Sequence, residues 1–202
     1  MSKIKLFSGM DFSGKTTIIE GINNKIPNTF KIKKKFLTPI KLIETVRKRE
    51  EWLSPEEWKP LLQENIKKDI EDYREDGLIL LDSLWVIKYL AGKIEKNNKE
   101  DEEEIFILKN LLRNYPSMDS FYITTSIDER VKRLQERTKL GNEITGSDKL
   151  IMDEDKFKRT EQIYKNLVLE YFPNTKIVDT TEISIEETIN LIIEDENFIQ
   201  DM

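Results

Sequence analysis

Gly9 and Gly14 stand five positions apart, and Lys15 and Thr16 follow the second glycine at once, in "GMDFSGKT". No other stretch restricts the fold of this chain as much. Only seven glycines occur in 202 residues, so two in one short loop need a reason. The stretch lies between "KIKLFS" (3–8), which reads as a strand, and a helical pattern from Lys15, "KTTIIEGINNKI". Strand, glycine loop and helix in that order make a cradle for a dense anion. Backbone N–H groups of a tight loop and the positive end of a helix supply donors from several directions. Gly9 and Gly14 allow the turn and a close backbone approach. Lys15 is a point charge suited to β- and γ-phosphates, and the Thr16 hydroxyl is suited to Mg²⁺. ATP and Mg²⁺ are therefore expected. Met10, Phe12, Ser13 and Thr17 belong to the same nucleotide-binding stretch.

The rest of the chain alternates strands with helices. "PN" at 27–28 stops the first helix, and "TFKIKKKFLT" (29–38) suits a second strand. "KLIETVRKRE" (41–50) reads as helix. So does "SPEEWKPLLQENIKKDIEDYRED" (54–76), with Ser54 as N-cap and Pro55 at the first helical position. Gly77 ends that helix. The apolar "LILLD" (78–82) has the look of a central parallel strand buried on both faces. "SLWVIKYLAGKI" (83–94) reads as helix, and "NNKEDEEE" (97–104) as a solvated charge run with a helix start. "SFYITTS" (120–126) is a fourth strand, followed by a basic helix over 126–140 capped by Ser126 or Asp128. "GNEITGSD" (141–148) is a connection. A long amphipathic helix (153–172), a fifth strand "KIVDTT" (176–181) and a last helix (184–195) complete the chain. No repeat and no long linker divides it, so one domain over 1–202 is expected, with a parallel sheet between two helical layers.

Composition excludes several chemistries. The chain contains no histidine and no cysteine, which removes imidazole acid–base catalysis, histidine–zinc sites, disulfides and thiolate metal sites. The lack of cysteine fits a cytoplasmic protein. A net charge of −6 argues against binding a nucleic acid polymer, although the local patch "KIKKK" (31–35) can meet small anions. The apolar runs are far too short to span a membrane. The opening "MSKIKLFSG" lacks the apolar stretch of a signal peptide.

Three further groups of residues bear on chemistry. Asp82 closes the buried strand and suits a Mg²⁺ partner; a helix N-cap is the other role open to it. Arg133 and Arg137 are four apart and share a helix face, which Arg130 can join. Such a cluster can clamp a transferring phosphoryl group, or it can be a solvated face paired with Asp128, Glu129 and Glu136. The segment after it, near 137–150, is placed to act as a closing lid. Trp58 can stack on a base and Gln63 can hydrogen-bond its edge; equally, both can be packing and surface residues.

On these motifs the chain resembles the thymidylate kinase family of P-loop nucleoside monophosphate kinases. "GMDFSGKTT" is similar to the family's GxDxxGKTT loop, including the acid Asp11. "DERVKRLQERTKL" resembles the Arg-x-x-x-Arg helix that enters the family's lid, with Arg133 and Arg137 at the arginine positions. The stretch from Phe157 to Ile192 resembles the family's closing helix, strand and helix. The resemblance implies a three-layer P-loop kinase fold with a five-stranded parallel sheet in the order 2-3-1-4-5, ATP with Mg²⁺, and a homodimer. It also implies a place for Asp11 near the acceptor and the reacting phosphates.

The departures fall on one side. Where the family has Arg-Glu-Pro-Gly after its second strand, this chain has "FLTPIKL". Where the family has Asp-Arg-Tyr after its third, this chain has Asp82 and then Ser83. Leu62 or Gln63 stands where an arginine follows the aromatic, and Lys139 is the nearest cation to a later lid arginine. In the family those arginines hold the acceptor's phosphate, and serine or glutamine is a poor substitute for a planar bidentate donor. Three functions stay open. The leading one is ATP-dependent transfer to a nucleotide, with dTMP the acceptor by resemblance. The second is a deoxynucleoside kinase acting on a 5′-hydroxyl. The third is an ATP-binding protein without kinase turnover.

Overall fold

The computed structural model describes residues 3–34, 77–141 and 148–199, together with the helical positions Pro60, Glu64 and Glu71. The expected helix over 41–50, most of that over 54–76, and the positions Trp58, Leu62 and Gln63 lie outside the described residues.

Five strands form one sheet: β1 Lys3–Ser8, β2 Phe30–Lys34, β3 Leu78–Asp82, β4 Asp119–Thr124 and β5 Lys176–Asp179. All pairings are parallel, in the order β2-β3-β1-β4-β5, which is the order the family resemblance implies. The register sets Leu6 beside Leu81 and Phe7 beside Phe121. Because side chains alternate along a strand, one run of apolar residues feeds two cores. Leu6, Leu81 and Tyr122 pack into one core, with Leu90 from α2 (Trp85–Lys96), Leu108 from α3 (Glu102–Leu112) and Val168 from α5 (Glu154–Tyr171). Phe7, Leu80 and Phe121 face the other way. They meet Ile18 and Ile22 of α1 (Lys15–Lys25), Ile189 of α6 (Ile185–Ile193) and Phe198 of the short α7 (Glu196–Ile199). Each fully buried Leu, Ile or Phe contributes about 1.5–3 kcal/mol, so the double-sided sheet is the main source of stability.

Local signals fix the helix starts. Ser126 caps α4 (Ile127–Lys139) by accepting from the Glu129 amide at 3.3 Å, so Asp128 is not the cap. Ser184 and Glu187 form a capping box on α6. Three expectations shift. The helix after β3 runs two residues later than 83–94, because Ser83 has φ 68° and cannot start it. Asn97, at φ 51°, stops that helix. β4 and β5 end at Thr124 and Asp179, short of Ser126 and Thr181.

The acidic run at 97–104 is a larger correction. It does lead into a helix, α3, through a 3₁₀ turn at Lys99–Asp101. It is not wholly solvated: Asp101 and Glu104 are buried. Lys93 of α2 bridges both, at 2.8 and 2.9 Å, and the Tyr89 hydroxyl donates to Glu104 at 2.5 Å. One lysine drawn in from a neighbouring helix gives these acids the partner that burial requires.

Candidate active site

The glycine loop leaves β1 at Gly9 and enters α1 at Gly14. The two glycines have φ 141° and 95°, in the region that side chains avoid. A Cβ on Gly9 would lie 2.2 Å from the Ile123 carbonyl oxygen, so the loop lies hard against the end of β4. Phe12, without glycine's freedom, is held at φ 62°. Gly14 is the N-cap of α1 and offers no side-chain acceptor, and no acid stands in the helix's first turn. An anion from outside is the natural partner for that positive end.

Lys15 folds back over this loop. Its Nζ donates to the Met10 carbonyl at 3.0 Å and to Ser13 Oγ at 3.3 Å. Ser13 and the Met10 side chain are buried, and Thr17 is exposed in the first helical turn. Burial pushes the Lys15 ammonium down to about 8; Asp11 and Asp82 pull it up, while Lys88 and Arg130 push it lower. Two backbone or hydroxyl oxygens do not replace the water an ammonium loses. A phosphate would.

Thr16 and Asp82, 66 positions apart in sequence, meet directly: Thr16 Oγ1 donates to Asp82 Oδ2 at 2.8 Å. The capping role open to Asp82 is not taken. Leu84 is the N-cap of α2, and no side chain caps it. A hydroxyl and a carboxylate converging beside the glycine loop suit Mg²⁺, which takes one or two carboxylates and leaves its other positions to water and phosphate. Among the described residues no three acids gather, so the donor set fits a metal shared with a phosphate rather than a closed protein cage. Ser83 is buried, with its amide on the Phe7 carbonyl at 2.9 Å. Its hydroxyl lies 3.4 Å from that carbonyl and 3.4 Å from Asp82 Oδ1. It fastens the end of β3 to β1.

The three arginines of α4 separate into two roles. Arg133 donates from Nη1 to the Phe12 carbonyl at 3.0 Å and from Nε to Glu129 at 3.0 Å. Arg137 lies over the Phe12 ring, 5.7 Å from its centroid. Both therefore stand at the glycine loop. Arg130 is the correction: it does not share their open face, being 0% exposed. It donates to the Asp11 carbonyl at 2.8 Å, the Thr125 carbonyl at 3.1 Å, Thr124 Oγ1 at 3.2 Å and Glu161 Oε1 at 2.5 Å. The Phe157 ring lies beneath it at 5.1 Å. One planar fork thus ties the loop, the end of β4 and α5 together.

Sequence reasoning missed Lys88. Its ammonium forms an ion pair with the carboxylate of Asp11, and both side chains are about one-third exposed or less. The available signal was a single cation in the otherwise uncharged stretch "WVIKYLAG" (85–92), which begins three positions after Asp82. Of the lid expected over 137–150, residues 142–147 lie outside the described residues, as do Trp58 and Gln63.

No protein-family model matches this sequence, and no curated protein matches it. Solved structures do. A thymidylate kinase from Candida albicans aligns at TM-score 0.70 and 20% identity, over 99% of this chain and 93% of its own. A deoxyadenosine kinase from M. mycoides with bound dATP aligns at TM-score 0.64 and 18% identity, over 96% and 99%. A thymidylate kinase from Ehrlichia chaffeensis aligns at TM-score 0.59 and 15% identity, over 96% and 97%. The fold is that of these P-loop kinases. At such identities the likeness is one of architecture, and it extends over nearly the full length of each chain.

Proposed function

We propose that this chain is a nucleotide kinase that transfers the γ-phosphoryl group of ATP to a nucleotide acceptor. The observation that carries the reading is the Thr16–Asp82 contact beside the loop closed by Lys15. In this reading the loop from Gly9 to Thr17 holds the triphosphate. Lys15 moves from its carbonyl and hydroxyl partners to the β- and γ-phosphates. Thr16 and Asp82 would hold Mg²⁺, which supplies charge neutralisation at the phosphates when bound. Arg133 and Arg137, already at the loop through Phe12, close over the group in transit. Asp11 orients the acceptor. Phosphoryl transfer asks mainly for positioning and charge stabilisation, so a chain without histidine can perform it.

The same reading takes dTMP as the acceptor, on the family resemblance and on likeness to thymidylate kinase structures. It takes residues 137–150 as a lid, 1–202 as one domain, a homodimer as the assembly and the cytoplasm as the location. A second reading, a deoxynucleoside kinase, is favoured by Ser83 in the place of an arginine and by the deoxyadenosine kinase likeness.

The test is ADP release from Mg-ATP with a panel of nucleosides and their monophosphates, repeated with Lys15→Ala. Removing one charge aimed at the reacting phosphate should lower kcat by about 10²- to 10³-fold. An undiminished rate in Lys15→Ala would refute the assignment of the site.

A further inference from the structure

We infer that Lys88 binds the anionic group of the acceptor and so makes the chain selective for acceptors that already carry a phosphate. The inference rests on the phosphoryl-transfer reading above and deepens it.

Among the described residues, four cations besides Lys88 stand at the glycine loop, and each has other work. Lys15 belongs to the loop itself. Arg130 is buried and donates to four oxygens of the frame. Arg133 is divided between the Phe12 carbonyl and Glu129. Arg137 lies on the Phe12 ring. Lys88 differs from them in origin and in partner. It comes from α2, the helix that begins just past Asp82, and its partner is the carboxylate of Asp11. The pair is part-buried, and Lys88 interrupts the otherwise uncharged stretch "WVIKYLAG" to bring its ammonium to the mouth of the glycine loop.

Electrostatics gives it a purpose. A group bound next to the γ-phosphate would meet Asp11, a carboxylate that repels a second phosphate, while Asp82 would be committed to Mg²⁺. Ser83, which has no charge, is turned toward the Phe7 carbonyl and cannot offset Asp11. Lys88 can. Its ammonium carries three donors on a flexible stem, so it can keep Asp11 on one and offer the others to phosphate oxygens. A neutral nucleoside acceptor would need no cation there. Lys88 and Lys15 are also within electrostatic reach of each other, with Asp11 acting on both. A second anion entering beside the first would meet a lysine of its own.

The experiment is calorimetric binding of dTMP, dAMP, dCMP and dGMP, and of the matching nucleosides, to the full chain without ATP. Wild type is compared with Lys88→Met, Lys88→Arg and the exposed Lys96→Met on the same helix. A charge-assisted contact predicts that at least one monophosphate binds about 10- to 100-fold tighter than its nucleoside. Lys88→Met should erase most of that preference while leaving nucleoside affinity within about twofold, Lys88→Arg should retain it, and Lys96→Met should change nothing. ATP binding checks that Lys88→Met is folded, and Lys88→Gln takes its place if it is not. No monophosphate preference in wild type, or a preference that survives the loss of the charge, would overturn the inference. ADP release is read separately: its absence with every acceptor would overturn the kinase reading and leave the binding preference to judge Lys88.

Discussion

ATP binding should draw a proton from solution at alkaline pH, and Lys15 should be the group that takes it. Burial holds the Lys15 ammonium at about 8, against 10.5 in the open chain, with Asp11 and Asp82 pulling it up and Lys88 and Arg130 pressing it down. Each pKa unit is about 1.4 kcal/mol, so desolvation leaves about 3 kcal/mol against the charged form. At pH 8.5 a group with that pKa is about three-quarters neutral. Triphosphate oxygens around it restore the charge, so binding should take up about 0.7 proton at pH 8.5 and about 0.1 at pH 7. The linked affinity should fall about fourfold between those two values. The assay is calorimetry with Mg-ATP in two buffers of different ionisation enthalpy. The slope of observed heat against buffer enthalpy counts the protons, and Lys15→Met should flatten it at pH 8.5. ATP binding without proton uptake at pH 8.5, or equal uptake in Lys15→Met, would refute the reasoning. Between pH 8 and 10.5 the unfolded chain holds more of this proton than the fold does, so this group adds stability as pH rises through that window. Relative to Lys15→Met, unliganded wild type should gain stability there.

Arg130→Met should unfold early in urea. It strands Glu161 and three frame acceptors, and breaking a buried pair from one side costs about 3–5 kcal/mol; a loss under about 1 kcal/mol would contradict the role given to it. Thr16→Val should lower kcat/KM for Mg-ATP by tenfold or more and, by taking the hydrogen bond from buried Asp82, lower stability by about 1 kcal/mol. Thr16→Ser, which keeps the hydroxyl, should restore both; a serine variant as slow as the valine one would contradict the role given to the hydroxyl. Gly9→Ala should destabilise by about 2 kcal/mol or more, because its Cβ meets the Ile123 carbonyl at 2.2 Å. Gly92→Ala, with open space around it in α2, should stabilise by about 0.4–1 kcal/mol. Thermal melts of that pair should move in opposite directions.

Much of this site is written along the chain, because its donor half is contiguous. A loop that must bring backbone amides to a triphosphate needs its glycines, lysine and threonine in fixed order, and Gly9 to Thr17 can be read directly. Asp82 was legible for a related reason: a parallel strand buried on both faces delivers whatever ends it to the same edge of the sheet. Its contact with Thr16 then needs only the order of β1 and β3, and that order came from resemblance rather than from residue patterns.

What escaped notice has one cause. Charged residues in helices default to the surface, and only three-dimensional packing tells which ones do not. Arg130 has the spacing to join Arg133 and Arg137, yet its position in the first turn of α4 carries it under the loop, where Glu161 from α5 waits. Asp101 and Glu104 sit in what reads as a solvated acidic run until Lys93 is brought over from α2. Lys88 and Asp11 are 77 positions apart, and neither belongs to a motif that would predict the other. In each case an acid and a base from different elements meet, and spacing within one element cannot reveal it.

The central claim is that phosphate leaves ATP for an acceptor held beside this loop. The most direct measurement uses ATP labelled at its γ-phosphate, Mg²⁺, and the panel of nucleosides and monophosphates, with products resolved by chromatography. Label should appear in a nucleoside diphosphate and be lost in Lys15→Ala. Label only in inorganic phosphate, or bound ATP with no labelled acceptor at all, would contradict the claim.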